Sequence, residues 1–327
     1  MSVAASAGPL HDIKGVYEEL RRQGLLDRLR ALQGPVLSRT LAALAFDWGL
    51  IVASWALVIW VSPWFAPLAV LLIGCRQRAL GNLLHHAGHK VLFASPERAD
   101  ALSNLFLGYP LWSPVHGYRD QHGKHHTHLG IEELDPDLIH AEKDLQGTSW
   151  QLFLRHSFDW AMFKGNLVAH LPKMSGRELA MTALWWSVFL GALFLASDGR
   201  SVLVFAGLWL VSRATVFHWI TTFREISDHV GLEPGSVLGF TRNSPHLPFL
   251  SFFIHPHQNN YHLTHHLAPR VPFHRLHVAH EIFMAVPDYA RAHHCDRYFS
   301  GGRSVVACWV RRCLRLHRAA EQQSEAA

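Results

Sequence analysis

The sequence predicts an all-α integral membrane protein whose four transmembrane helices form two hairpins. Three observations carry that expectation. Apolar runs of spanning length recur in two close pairs, residues 43–61 with 66–84 and residues 180–196 with 202–220. A run of 19 residues is about 28 Å long as helix, enough to cross a hydrocarbon core. The basic residues avoid the short turns between paired runs. Of 30 Lys and Arg, 6 precede the first run, 9 lie in residues 90–177, 11 follow Ile220, and Arg200 alone occupies an outer turn. By the positive-inside rule, both termini and the long middle segment are cytoplasmic. Finally, histidines gather just beyond the ends of the apolar runs. The net positive charge therefore reflects membrane topology rather than nucleic-acid binding.

Taken in order, the chain begins with Ile13, Val16, Tyr17 and Leu20 at helical spacing, interleaved with Glu18, Glu19, Arg21 and Arg22. This predicts an amphipathic helix on the membrane surface, with a soluble packing helix as an equal alternative. Gly34 and Pro35 end it. The first span is interrupted only by Asp47. The second carries Arg76, Gln77 and Arg78 deep in an apolar run, so these are expected to point into the bundle or snorkel, as a structural ion pair, in support of the metal site or to bind an acyl headgroup.

That second helix runs inward and delivers His85 and His89, four apart on one face. A zinc-protease box needs Glu directly after the first histidine, and His86 stands there instead, so that reading fails. Residues 101–112 are apolar but too short to span, and are expected to dip into the interface. In the cluster that follows, His122, His125 and His126 share helical spacing, while His116 and His128 fall off it as polar neighbours. The acidic run Glu132, Glu133, Asp135, Asp137 is expected to be mainly a solvated face, with orientation of nearby histidines through their other ring nitrogen as the lesser alternative. Residues 150–171, rich in aromatics, suggest a further interfacial helix.

The fourth span also runs inward and brings Glu225 and His229 to the same side as His85. After a Pro/Gly-containing loop with membrane-touching Phe252 and Phe253 comes QNNYHLTHHLAP, residues 258–269. There His262, His265 and His266 are three and four apart, which predicts three imidazoles directed toward one point. Amides at Asn259 and Asn260 are placed to hold a metal-bound water. His255 and His257 flank a proline in an extended segment, and His274, His277 and His280 belong to a separate face. Residues 303–318 are basic and amphipathic, suited to anionic lipid, and the last nine are expected to be disordered. Cys75, Cys295, Cys308 and Cys313 form no Cys-x-x-Cys pair, pointing to free thiols in a reducing compartment. No removable signal peptide is expected.

Nine histidines thus form the candidate ligand set: His85, His89, His122, His125, His126, His229, His262, His265 and His266. Nine exceed the four-coordinate demand of one zinc and suit two metals with four or five ligands each, leaving positions open for water or dioxygen.

The order His-x-x-x-His, His-x-x-His-His, His-x-x-His-His resembles the membrane fatty acid desaturase and hydroxylase superfamily. The segments HHTHLGIEELDPDL, REISDH and NNYHLTHHLAPRVPFHRL resemble that family too, so the likeness covers about residues 43–280. The resemblance implies a helical bundle with a cytoplasmic helical cap holding two irons. It implies the nine histidines as iron ligands, with Asn260 as a tenth, water-mediated position and no catalytic residues beyond the metal ligands. Relatives commonly carry Asp or Glu where this chain has His86, which bears on substrate class. The implied domains are a cytoplasmic amphipathic segment (1–42), a membrane desaturase-like catalytic domain (43–302) and a basic amphipathic and disordered tail (303–327).

The implied reaction is desaturation of an acyl chain, as a fatty acyl lipid or acyl carrier thioester, with O2 as co-substrate. Hydroxylation or ketolation of a lipid, carotenoid or specialised metabolite would use the same ligands. A non-catalytic membrane metal-binding protein is the alternative of another class. The chain has no haem-binding HPGG motif and no Gly-rich flavin or nicotinamide fingerprint, so a separate ferredoxin or cytochrome b5 is expected as electron donor. The expected setting is a membrane, the inner or plasma membrane if the source is bacterial, with the site and both termini in the cytoplasm.

Overall fold

The computed structural model describes residues 10–139 and 148–310, and these are mostly helical. Three of the described helices are long and apolar enough to cross a membrane: Leu37–Val61, Gly176–Ala196 and Gly199–His229. The principal elements are α1 (His11–Arg22), α2 (Leu37–Ala56, continued to Val61 by a π turn), α3 (Ala66–Gly88), α4 (Val115–Thr127), α5 (Ser149–Ser157) and α6 (Trp160–Val168). They continue as α7 (Gly176–Ala196), α8 (Gly199–Ser212), α9 (His218–His229), α10 (His262–Leu267) and α11 (Leu276–Phe283). Local chemistry sets the boundaries. Ser175 and Glu178 form a capping box at the start of α7, and Asp198 accepts from the Ser201 amide to begin α8 directly afterwards.

The expected second span is the helix α3, but it is not among the three apolar helices. Its residues from Ile73 to Ala79 are all buried, as are Asn82, His85 and His86, so it is wrapped by other helices rather than by lipid alone. Helix α2 packs along it on one side, and α8 with the π turn Arg213–Phe217 packs on another. At Gly74 the approach is so close that a Cβ would lie 2.6 Å from Val216 Cβ, which only glycine avoids.

Inside the bundle, Asp47 and Arg76 are paired. Asp47 accepts from Arg76 Nη1 at 3.0 Å and lies 2.7 Å from His257 Nε2, while Arg76 Nη2 donates to the Phe252 carbonyl. Removing one member would strand a buried charge, at a cost of about 3–5 kcal/mol. Of the alternatives offered by the sequence for Arg76, the structural ion pair is therefore the one observed. Arg78 differs: its Nη2 donates to Asn82, and no carboxylate pairs with it among the described residues.

At both ends of the chain the described apolar faces meet protein. The segment read as one amphipathic helix, on the membrane surface or packed on protein, is two, α1 and Leu26–Arg30, and their apolar face is covered by protein. Val16, Leu20, Leu26 and Leu29 pack with Leu263, Leu267, Ile282 and Phe283 of α10 and α11. Tyr17 Oη donates to the Leu267 carbonyl at 2.9 Å, and Asp12 accepts from the Val237 and Leu238 amides. Of the two readings of the apolar stripe, the packing helix is the one observed, with α10 among its partners. Similarly, Val305, Val306 and Trp309 are buried against Phe153 and Phe223 instead of lying on a membrane surface. The remainder of the tail, residues 311–327 with Cys313, lies outside the described residues. Residues 150–171 form α5, α6 and a short 3-10 turn rather than one helix.

Candidate metal centre

Four separate elements deliver the nine histidines to one place. Helix α3 ends at His85 and His89, α4 carries His122, His125 and His126, α9 ends at His229, and α10 carries His262, His265 and His266. Their ring nitrogens form two groups. His85, His89, His122, His126 and His265 make one, and His125, His229, His262 and His266 the other, with the ligand atoms of each within 4.8 Å of one another.

This division corrects the expectation that a His-x-x-His-His box aims three rings at one point. Residues four apart stay on one helix face, but neighbours are rotated by about 100°. His122 and His126 therefore join the first group while His125 joins the second. The α10 box mirrors this, with His262 and His266 in the second group and His265 in the first. Each box gives a pair to one group and lends one ring to the other.

Within the first group, His122 Nε2 lies 3.0 Å from both His89 Nε2 and His126 Nε2, and His126 Nε2 lies 3.2 Å from His265 Nε2. Within the second, His262 Nε2 lies 3.0 Å from His229 Nε2 and from His266 Nε2. A neutral imidazole nitrogen carries either one proton or one lone pair, so such a ring of contacts cannot be satisfied by hydrogen bonds alone. Buried His85 has no hydrogen-bond partner at either nitrogen. Donors about 3 Å apart are the neighbours expected around an ion bound at about 2.1 Å. The residues present thus fit a pair of metal ions.

Electrostatics points the same way. Burial, and then the closeness of one ring to the next, pushes His122, His126, His262, His265 and His266 well below the usual imidazole range. They are neutral at pH 7 and offer lone pairs. His125 is the exception: burial lowers it, but its hydrogen bond to Asp135 and the neighbouring carboxylate charges outweigh that and raise it.

Asp135 follows the lesser of the two readings of its acidic run, orienting a histidine rather than forming a solvated face. It is 7% exposed, accepts from His125 Nδ1 at 2.8 Å, and is itself held by the amides of Gly130 and Asp137. The Asp-Pro-Asp of 135–137, a favoured site for an Asx turn, was the available signal. Such a carboxylate fixes the tautomer and leaves Nε2 free for a metal. The Phe240 carbonyl does the same for His229, accepting from Nδ1 at 2.8 Å. Asp228 Oδ2 lies 3.3 Å from Arg224 and 3.6 Å from His262 Nε2.

The other histidines have separate places. His86 is buried with both nitrogens unpartnered, its ring 5.7 Å from His265 and 5.8 Å from Phe273. His255 pairs with Tyr298 Oη, His257 with Asp47, His277 with Gln258 and His280 with Tyr289 Oη. Asn260 is buried and its Nδ2 donates to the Ser244 carbonyl.

A cavity of about 490 Å³ opens beside both groups, with His85, His122, His125, His229 and His262 in its wall. That volume lies within the range of small-molecule sites.

Residues 62–298 match the profile of the fatty acid desaturase family. Over 276 residues, 76% of each chain, the sequence is 30% identical to dihydrorhizobitoxine desaturase of Bradyrhizobium elkanii. It is 23% identical to fatty acid desaturase 3 of Bos taurus, over 81% of this chain and 64% of that one. It is 22% identical to the chloroplastic omega-6 fatty acid desaturase of Arabidopsis thaliana, over 82% and 62%. The chain thus spans less than two thirds of the length of these last two relatives.

Proposed function

The chain belongs to the fatty acid desaturase family and is an oxidoreductase of that type, and from that premise we propose that its nine histidines hold two iron ions for O2-dependent desaturation of a substrate bound in the adjacent cavity. The observation that carries the reading is the sorting of the histidines into groups of five and four. Family membership sets the non-catalytic metal carrier aside. With iron bound, the site would supply dioxygen activation strong enough to take hydrogen from an unactivated C–H bond, which side chains alone do not provide.

The residues of this chain orient and exclude. Asp135 and the Phe240 carbonyl fix the rings of His125 and His229. Asn260, two residues before His262, is assigned a water-mediated position. The cavity wall sets which C–H bonds face the histidines, and that placement decides desaturation over hydroxylation. In the balanced reaction two substrate hydrogens, two further protons and two external electrons reduce O2 to two waters. A separate ferredoxin or cytochrome b5 would supply the electrons. An acyl chain is supported as substrate by the two relatives named for fatty acids, whereas the relative at 30% identity is named for dihydrorhizobitoxine.

The same reading covers topology. Helix α3 serves as the fourth span, pairing with α2 as α7 pairs with α8. Residues 43–302 form the catalytic domain between the flanking segments 1–42 and 303–327. Both termini and the histidine cap face the cytoplasm, by the distribution of Lys and Arg. A cysteine at Arg200 is expected to react with an impermeant thiol reagent on intact cells, and one at Lys173 only after permeabilisation. The reverse pattern would invert the topology. Anaerobic purification followed by metal analysis tests the centre: about two irons per chain are expected, and zinc or a single ion would refute it. With labelled O2, label retained in the product would reject desaturation.

A further inference from the structure

The cavity beside the histidines carries charge that a hydrocarbon tail would leave stranded. Arg213, Phe217, Thr221, Glu225 and His229 follow at four-residue steps through the π turn and α9, and all five line the cavity. Arg213 is 5% exposed. Its Nε and Nη2 donate to the Leu167 carbonyl, and Nη2 also to the Leu111 carbonyl, but Nη1 has no partner. Among the described residues no carboxylate lies within 4.0 Å of its guanidinium. The rings of Trp112 and Phe217, at 5.0 and 4.7 Å, flank the cation without neutralising it.

Nothing nearer the histidines makes the wall apolar. Glu225, one helical turn before His229, has no hydrogen bond or ion pair among the described residues. Thr221 Oγ1 and Arg78 Nε, also of lining residues, are buried without partners. A buried charge without a counter-charge is costly, and an alkyl chain laid along this face would supply none. A carboxylate would instead accept from the free Nη1 in a charge-assisted hydrogen bond.

Taking this cavity as the substrate site of the proposed desaturation, we infer that the substrate is a water-soluble acid whose free carboxylate binds Arg213, not the esterified tail of a membrane lipid. Arg213 then acts as a substrate-binding residue at the end of the cavity away from His229.

The test uses the full chain in phosphatidylcholine nanodiscs, iron-loaded and after chelation, at constant ionic strength. Thermal unfolding is followed against sodium hexanoate, 1-hexanol and hexylammonium chloride, which share length and differ in charge. Hexanoate is expected to raise the unfolding midpoint saturably, and the other two to leave it unmoved. Arg213→Gln should weaken the apparent hexanoate affinity by at least about 10-fold, the scale of one lost charged hydrogen bond, and Arg213→Lys by less. If Arg213 only ties the Leu111 and Leu167 carbonyls, the Gln variant will unfold earlier yet respond to hexanoate as the wild type does, which overturns the inference. Equal responses to hexanol and hexanoate in the wild type overturn it too, whether or not the variants fold. A protein with two irons that fails this comparison loses only the carboxylate assignment. One that binds hexanoate through Arg213 but holds no iron loses only the proposed reaction.

Discussion

In the four-histidine group two rings are tied from behind, His125 by Asp135 and His229 by the Phe240 carbonyl. In the five-histidine group, among the described residues, no ring nitrogen hydrogen-bonds to anything but another histidine. Packing holds that group instead. Tyr118 stacks on His122 with centroids 5.6 Å apart, and His85 is wedged between His122 and His265 at 4.3 and 4.2 Å. Hydrogen bonds from Nδ1 set ring orientation and raise ligand basicity, whereas packing sets orientation alone. One group has its ligands tuned, and the other has more of them.

The largest expected effect comes from the adjacent pair His265 and His266, which serve different groups. Each single Ala variant should lower turnover by more than about 100-fold, beyond the 10–100-fold attached to an outer partner. A variant keeping a tenth of wild-type turnover would break the reading of its group as a metal site. Next, Asp135→Asn should weaken iron binding in the four-histidine group by about 10–100-fold and leave the other group unchanged. Iron release to a graded chelator should then become biphasic, and a single unaltered release curve would erase the contrast between the groups. The smallest effect belongs to Tyr289, whose hydroxyl meets Asn243, Thr264 and His280 at 2.8, 2.7 and 2.7 Å beneath α10. Because α10 feeds both groups, Tyr289→Phe should cost about 1–3 kcal/mol in denaturant unfolding without favouring loss of either iron. Selective loss from one group would show that this network belongs to that group.

What the sequence disclosed follows from the range of each signal. Histidine spacing is a helical property, so nine positions could be picked out from local pattern, and the apolar runs announced their helices. That His265 and His266 diverge follows from helix geometry, but which group each joins could not be read, because it depends on where a second helix stands. Asp135 looked like any acidic surface residue until Gly130, Asp137 and His125 closed around it. The apolar stripe of α1 was plain, yet the same stripe suits a bilayer or α10. Arg78 and Arg213 resembled each other and Arg76 as charges within spans, and only packing separates the ion-paired Arg76 from the two that face the cavity.

Each histidine doublet binds the two groups through a single peptide link. One residue inserted ahead of a doublet would turn both of its rings by about 100°, bringing the first to the direction the second had held and swinging the second away from both groups. These boxes can therefore vary in the residues between their histidines but not in length, and one residue inserted within them would disrupt both groups at once.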